Sequence, residues 1–308
     1  GMPMQQPMMQ TGMPMQQPMM QTGMPMPMTQ GGGVGPDGLP LPVFVQDPLV
    51  ELNAAQSCLV EQEFELLEVL TGCETKNRYN VSINSAGFGG GKKTLFTCKE
   101  ESSWCSRNCC PSDSRPFDMK VRHLIGQNAQ TGELMSNPYI NFNKEFKCTC
   151  CCLGRPEMIG TLEQGGFFGK IIEPCSICSP FFYIYGKDNV IKYTIYIDCS
   201  QCGFFCRSGL CGKLSEVQMQ IFQGATTEGA AVGSIVRKVM GMQELISDAD
   251  TYLVNFPPMA TAEEKLMIIG GVLMIDYRYY EDNGSDDNNT GHSGGHRRRR
   301  RRYRYHRY

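Results

Sequence analysis

Sixteen cysteines carry most of the chemistry open to this 308-residue chain. Four of them stand within five residues, Cys148-Thr149-Cys150-Cys151-Cys152, after Lys144 and Lys147 and beside Phe142 and Phe146. Neighbouring cysteines do not readily pair with each other, because disulfide geometry opposes so tight a loop. Three readings stand: S-palmitoylation of Cys148, Cys150, Cys151 and Cys152, metal binding, or a loop of small buried side chains. Basic and apolar neighbours suit acylation, in which a second chain turns reversible membrane contact into stable anchoring. Cys175-Ser-Ile-Cys178 and Cys199-Ser-Gln-Cys202 form two C-x2-C pairs. Their spacing lies at the upper edge of what a four-thiolate zinc site uses. The intervening segment also reads as an ordinary hairpin, whose base permits a zinc site without demanding one.

Asp248-Ala249-Asp250 opens like a calcium loop, with carboxylates at positions 1 and 3. The loop would continue through Tyr252, Val254 and Phe256, and its twelfth position, where a bidentate Glu is wanted, holds Met259. Two carboxylates helped by backbone carbonyls bind calcium weakly, at about 10⁻⁴–10⁻³ M. The competing reading is an acidic turn entering a strand. At the other chemical extreme, Arg297, Arg298, Arg299, Arg300, Arg301 and Arg302 run together, with Arg304 and Arg307 among tyrosines. Eight guanidiniums in twelve residues repel one another and attract polyanions. Anionic headgroups attract each basic residue near a surface. Nucleic acid gains by counterion release, and Tyr303, Tyr305 and Tyr308 offer stacking platforms. Of the two, anionic lipid is the favoured partner.

The net charge of −2 hides this asymmetry; removing those eight arginines leaves about −10 for residues 1–296. No run of 18 apolar residues occurs, which excludes a conventional multi-span membrane protein. The leading residues have neither the basic n-region nor the apolar h-region of a signal peptide. The compartment therefore reads as reducing, with thiols mostly free or bound to metal or lipid. No G-x-S-x-G, P-loop or H-E-x-x-H occurs, and the histidines are His123 and three in the C-terminal tail. No catalytic constellation emerges, and the chain reads as a non-enzyme.

The elements that must position these groups divide the chain in three. GMPMQQPMMQT fills residues 1–11 and again 12–22, and GMPMPMTQ follows at 23–30. Such a Met/Pro/Gln repeat has little to pack and is expected to stay disordered over 1–42, with protein partners reaching it there. Residues 43–282 read as globular. Period-two patterns recur at Tyr79, Val81, Ile83; Phe117, Met119, Val121; Tyr193, Ile195, Ile197; and Val217, Met219, Ile221. Many short strands separated by turns, such as Lys187-Asp188-Asn189, imply a mainly β antiparallel sandwich or barrel. Thr261-Ala-Glu-Glu264 is a capping box before a run, 265–275, that is apolar on every side of a helical wheel. That helix is expected to thread a β barrel, the alternative being a membrane anchor. Residues 283–308 read as an acidic, then Arg-rich, disordered tail.

Several of these segments resemble one family, the phospholipid scramblases. Glu65-Leu-Leu-Glu-Val-Leu-Thr-Gly-Cys73-Glu-Thr-Lys-Asn-Arg-Tyr79 is similar to its opening signature, and Cys105-Ser-Arg-Asn-Cys109-Cys110 with Arg115-Pro-Phe117 to its second. Cys148 to Cys152 resembles its palmitoylation motif, Asp248-Ala-Asp250 with Phe256-Pro257 its calcium segment, and Met267 to Asp276 its C-terminal helix. Order and spacing agree over residues 49–282. The resemblance implies a tubby-like fold, a closed antiparallel barrel of about twelve strands around one buried hydrophobic helix. It also implies calcium-responsive, ATP-independent movement of phospholipids between leaflets, at the cytoplasmic face of a membrane and most naturally the plasma membrane. The alternative is an acyl-anchored scaffold with no lipid transport. The sequence departs from the family at Met259, where an acid is expected, and in lacking P-x-x-P sites. The family's basic import stretch is reduced here to Arg237-Lys238.

Overall fold

In the computed structural model, residues 48–63, 76–84, 91–103, 114–127, 134–147, 153–205, 216–238 and 251–280 are described. They all fall within one unit, Gln46–Tyr308. Twelve strands follow a short helix, α1 (Pro48–Ala54). They are β1 (Ser57–Gln62), β2 (Arg78–Asn84), β3 (Lys92–Glu101), β4 (Phe117–Gln127), β5 (Leu134–Lys144) and β6 (Glu157–Leu162). Then come β7 (Phe167–Ile172), β8 (Phe181–Tyr185), β9 (Ile191–Ile197), β10 (Val217–Gln223), β11 (Gly233–Lys238) and β12 (Thr251–Asn255). A one-turn helix, α2 (Cys202–Phe205), precedes β10, and helix α3 (Ala262–Ile275) follows β12.

Each strand pairs antiparallel with its sequence neighbours, and β12 returns to β1 with Ser57 opposite Asn255 and Val60 opposite Tyr252. That last pairing closes the barrel, so no edge is left to recruit another strand. The period-two residues all turn inward: Tyr79, Val81, Met119, Val121, Ile195, Ile197, Met219 and Ile221 are buried. The outward positions of β10 carry glutamine, with Gln218, Gln220 and Gln223 exposed, whereas those of β8 carry the partly buried Phe181, Tyr183 and Tyr185. The filled apolar interior is the reverse of the polar lumen of barrels that cross a bilayer.

The lumen is filled by α3. Thr261 accepts from the Glu264 backbone N–H, and Glu264 Oε2 accepts from the Thr261 N–H at 3.0 Å, so the capping box forms as spelled. The helix has no polar face, and every residue from Lys265 to Ile275 is buried, which is the fate an all-round apolar helix requires outside lipid. Fourteen residues span about 21 Å, enough to traverse the barrel. Packing is tight where small residues meet it. A Cβ on Gly270 would stand 2.7 Å from Phe142 Cζ, and one on Gly169 of β7 would stand 2.8 Å from Met267 Sδ. Among the described residues no helix is long and apolar enough to cross a membrane.

Lys265 is the one charge on the apolar run, and it closes the mouth through which α3 enters. Its Nζ donates to the carbonyls of Leu52 (3.3 Å), Asn53 (2.7 Å) and Ala55 (2.8 Å) at the C-terminal end of α1. Burial pushes the ammonium below its ordinary value.

Candidate functional site

An up-and-down barrel with a threaded helix has two unlike ends. The cap end holds α1, the N-terminus of α3 and the β8–β9 turn. The exit end holds the C-terminus of α3, and the β5–β6, β7–β8, β9–β10 and β11–β12 connections all lie there by strand direction.

At the exit end α3 passes into a π-helical turn, Asp276–Tyr280, in which Asp276, Tyr277 and Tyr280 are buried. Asp276 accepts from Tyr79 Oη on β2 and from Tyr252 Oη on β12, both at 2.6 Å. Glu173, 2% exposed, accepts from Arg155 Nη2 (2.7 Å), Arg278 Nε (2.8 Å) and Tyr279 Oη (2.7 Å). Burial, reinforced by that carboxylate, raises the Tyr279 phenol well above its usual range. Two buried guanidiniums stack on the turn, Arg115 4.7 Å from the Tyr277 ring centroid and Arg237 3.9 Å from that of Tyr280. Charge in an apolar interior is tolerated because carboxylates, phenols and aromatic faces replace water.

The acylation candidates Cys148, Cys150, Cys151 and Cys152 lie outside the described residues, but their flanks do not. Lys144 and Phe142 are not surface neighbours of the cluster. Phe142 is core, and Lys144 is buried and donates to the Arg115 carbonyl at 2.6 Å. Alternation along β5 sends both inward. Phe146, Lys147 and Leu153 remain at the surface, with Lys147 paired to Glu157 at 2.8 Å. Arg237 likewise faces the interior, which removes it from any exposed basic stretch with Lys238.

Asp248 and Asp250 also lie outside the described residues. The side chains of Tyr252, Val254 and Phe256, the other members of the calcium set, are buried core. Thr251–Asn255 is a strand paired on both sides, so it extends about 14 Å rather than curling around an ion. Met259, 86% exposed, stands beyond it at the cap end. Of the zinc candidates, Cys178, Cys199 and Cys202 are free and Cys175 is disulfide-bonded. The last departs from the expectation of free thiols, and the four are not grouped as a metal site. Cys58 and Cys98 are free thiols inside the barrel, where burial holds Cys98 up to about 12 and Cys58 higher still. Arg297 to Arg302 fall outside the described residues.

The cap end has a cavity of about 280 Å³ between the β8–β9 turn and α3, lined by Phe168, Ile184, Lys187, Lys192, Glu264 and Met267. Its charges are committed: Lys187 to Glu263 at 2.5 Å, Lys192 to Asp188 at 2.6 Å, and Glu264 to the helix cap. Burial, with Glu264 nearby, raises Tyr193 to about 12, so that phenol stays protonated at neutral pH.

Sequence reading missed the Glu173 cluster, the Lys265 clamp and the buried arginines. Asp276 and Arg278 inside an otherwise apolar run were the available signal, since charges there require partners.

The Scramblase family model matches residues 39–282. Human "Phospholipid scramblase 4" is 30% identical over 226 residues, covering 71% of this chain and 60% of its own length. Human "Phospholipid scramblase 1" is 28% identical over 236 residues, 74% of this chain and 64% of its own length. Bovine "Phospholipid scramblase 2" is 27% identical over 246 residues, 78% of this chain and 74% of its own. The chain thus spans less than two thirds of the length of the first two of these relatives. No solved structure matches it.

Proposed function

This chain belongs to the scramblase family, and on that premise we propose that it moves phospholipids between the leaflets of a membrane, without ATP and in response to calcium. The observation that carries the reading is the family match across residues 39–282, which takes in the whole described barrel. The chain works as a peripheral protein on the cytoplasmic face, with the plasma membrane as its site. Palmitate on Cys148, Cys150, Cys151 and Cys152 anchors it, and Arg297 to Arg302 add attraction to anionic headgroups. Calcium acts weakly through Asp248 and Asp250 with backbone carbonyls, since Tyr252, Val254 and Phe256 give their side chains to the core. Zinc has no part in this reading, because Cys175 is oxidised. The N-terminal repeat serves protein partners, and nucleic acid is secondary to lipid at the Arg-rich tail.

One observation favours the second reading, an acyl-anchored scaffold without transport. The lumen is closed by packing: Leu266, Ile268, Ile269, Leu273 and Ile275 of α3 are 0% exposed. No lipid can pass through such a core without unfolding it, so transport requires a route along the outside. Purified chain in defined vesicles decides between the two. Lipid exchange that rises with calcium and is lost on Asp248→Asn supports the scramblase, and no exchange at any calcium level sinks it.

A further inference from the structure

We propose that the exit end of the barrel is the face that docks on the membrane, with Phe146, Leu153 and Ile177 entering the headgroup–acyl boundary of an anionic bilayer. The inference deepens the reading above and rests on it, in that the partner is a phospholipid surface. It begins with exposure: Phe146 is 57%, Leu153 78% and Ile177 102% exposed, the last being the most exposed large apolar side chain among the described residues.

Strand register brings the three together. Phe146 follows Lys144, the last residue of β5, and Leu153 precedes Glu157, the first of β6. Ile177 lies between Ile172 of β7 and Phe181 of β8. Lys144 opposes Met158, Glu157 opposes Ile172, and Ile172 opposes Tyr183. The two connections therefore leave neighbouring positions on one rim. Exposed apolar residues on adjacent connections suit a fluid apolar medium, which needs no complementary pocket. Lys147 and Arg155 stand on the same connection, paired with Glu157 and Glu173.

Two features favour a bilayer over a protein partner. Phe146 and Leu153 bracket the acylation candidates Cys148–Cys152 in sequence, and the exposed free thiols Cys178 and Cys202 are at the same end. The chain also leaves α3 through Tyr280 at this end, so the Arg-rich segment follows from it. The cap end carries exposed apolar residues too, Val50, Met135, Phe167, Val190 and Met259. They are spread over α1, two strands, a turn and the entry to α3, and ion pairs such as Lys93–Glu51 and Lys187–Glu263 interrupt them.

The test uses the full chain, purified without acyl chains, in flotation with phosphatidylcholine vesicles with and without phosphatidylserine. Phe146→Ser, Leu153→Ser and Ile177→Ser should each lower partitioning by about tenfold, with thermal unfolding unchanged because the tips touch solvent. Val190→Ser and Met259→Ser should leave partitioning as it is. An environment-sensitive thiol probe on Cys178 in a Cys202→Ser chain should shift to the blue on vesicles, and one on Met259→Cys in a Cys178→Ser, Cys202→Ser chain should not. Failure of the unvaried chain to float overturns the proposal, as does a loss confined to the cap-end variants. So does a concentration-dependent dimer that the tip variants abolish, which would make a second copy the occupant. A chain that docks through its tips yet moves no lipid would refute the transport reading and leave the docking face intact.

Discussion

Tyr252 and Asp276 are joined by a hydrogen bond of 2.6 Å between the start of the last strand and the end of the central helix. Tyr252 stands two residues after Asp250, so the strand that follows the acidic segment is tied directly to the point where α3 becomes a π-turn. Tyr79 holds the other carboxylate oxygen from β2. Three elements therefore meet on one buried acid, and a displacement of β12 is transmitted to the helix rather than absorbed by a loop.

Tyr252→Phe should lower stability by about 1.5–3 kcal/mol, the range for a hydrogen bond to a charged group. Tyr79→Phe should do the same. The double variant should lose more than the sum, because the buried carboxylate then keeps neither phenol. Urea unfolding of the three variants measures the coupling; strict additivity would mean that the two phenols act independently.

Gly270→Ala tests how tightly the helix fills the barrel. Helix propensity alone favours Ala by about 1 kcal/mol, but the added methyl would meet Phe142 and Ile171 side chains. Overpacking of this kind costs about 1–3 kcal/mol, so the net change should be destabilising. Phe142→Leu in the same chain should recover part of the loss, and a stabilised Gly270→Ala would refute the packing.

The two interior thiols predict a pH dependence of defined sign. Cys98 ionises near 9.0 when unfolded and near 12 when folded, because burial disfavours the thiolate. A group raised in the folded state contributes fully below pH 9, and its contribution is lost as pH rises toward 12. Stability of the native chain should therefore fall faster than that of Cys98→Ala between pH 9 and 11, by up to about 1.4 kcal/mol per unit. Parallel pH profiles would show that Cys98 is not sheltered. At pH 8 a thiol reagent should modify Cys178 and Cys202 and spare Cys58 and Cys98.

Replacing Cys148, Cys150, Cys151 and Cys152 with Ala should move the chain from the membrane to the soluble fraction of cells, since each buried CH₂ contributes about 0.8 kcal/mol and two chains are needed to hold it. The native chain should lose mass on hydroxylamine treatment. Unchanged membrane recovery with a hydroxylamine-insensitive mass would rule out acylation there.

Much of the barrel was legible because alternation is a local property. Tyr193, Ile195 and Ile197 repeat at period two, and a strand half covered by a core must put them on one side. The candidate site was harder to read. Lys144 and Lys147 look alike in sequence, yet one is buried on a backbone carbonyl and the other is half-exposed in an ion pair. Only the register of β5 against β4 and β6 separates them.

Local patterning sets the inward faces of the strands, the start of α3 after Thr261 and the need to bury that helix all round. Each follows from periodicity or from a contact three residues long, which the chain carries wherever it goes. The tertiary structure alone decided that β12 closes on β1, that Lys265 clamps α1, and that Arg115 and Arg237 lie inside. Those outcomes depend on partners far apart in the chain, 197 residues between Tyr79 and Asp276 and 213 between Leu52 and Lys265. A buried charge is stable only where its partner arrives, and no local pattern names a partner across the barrel.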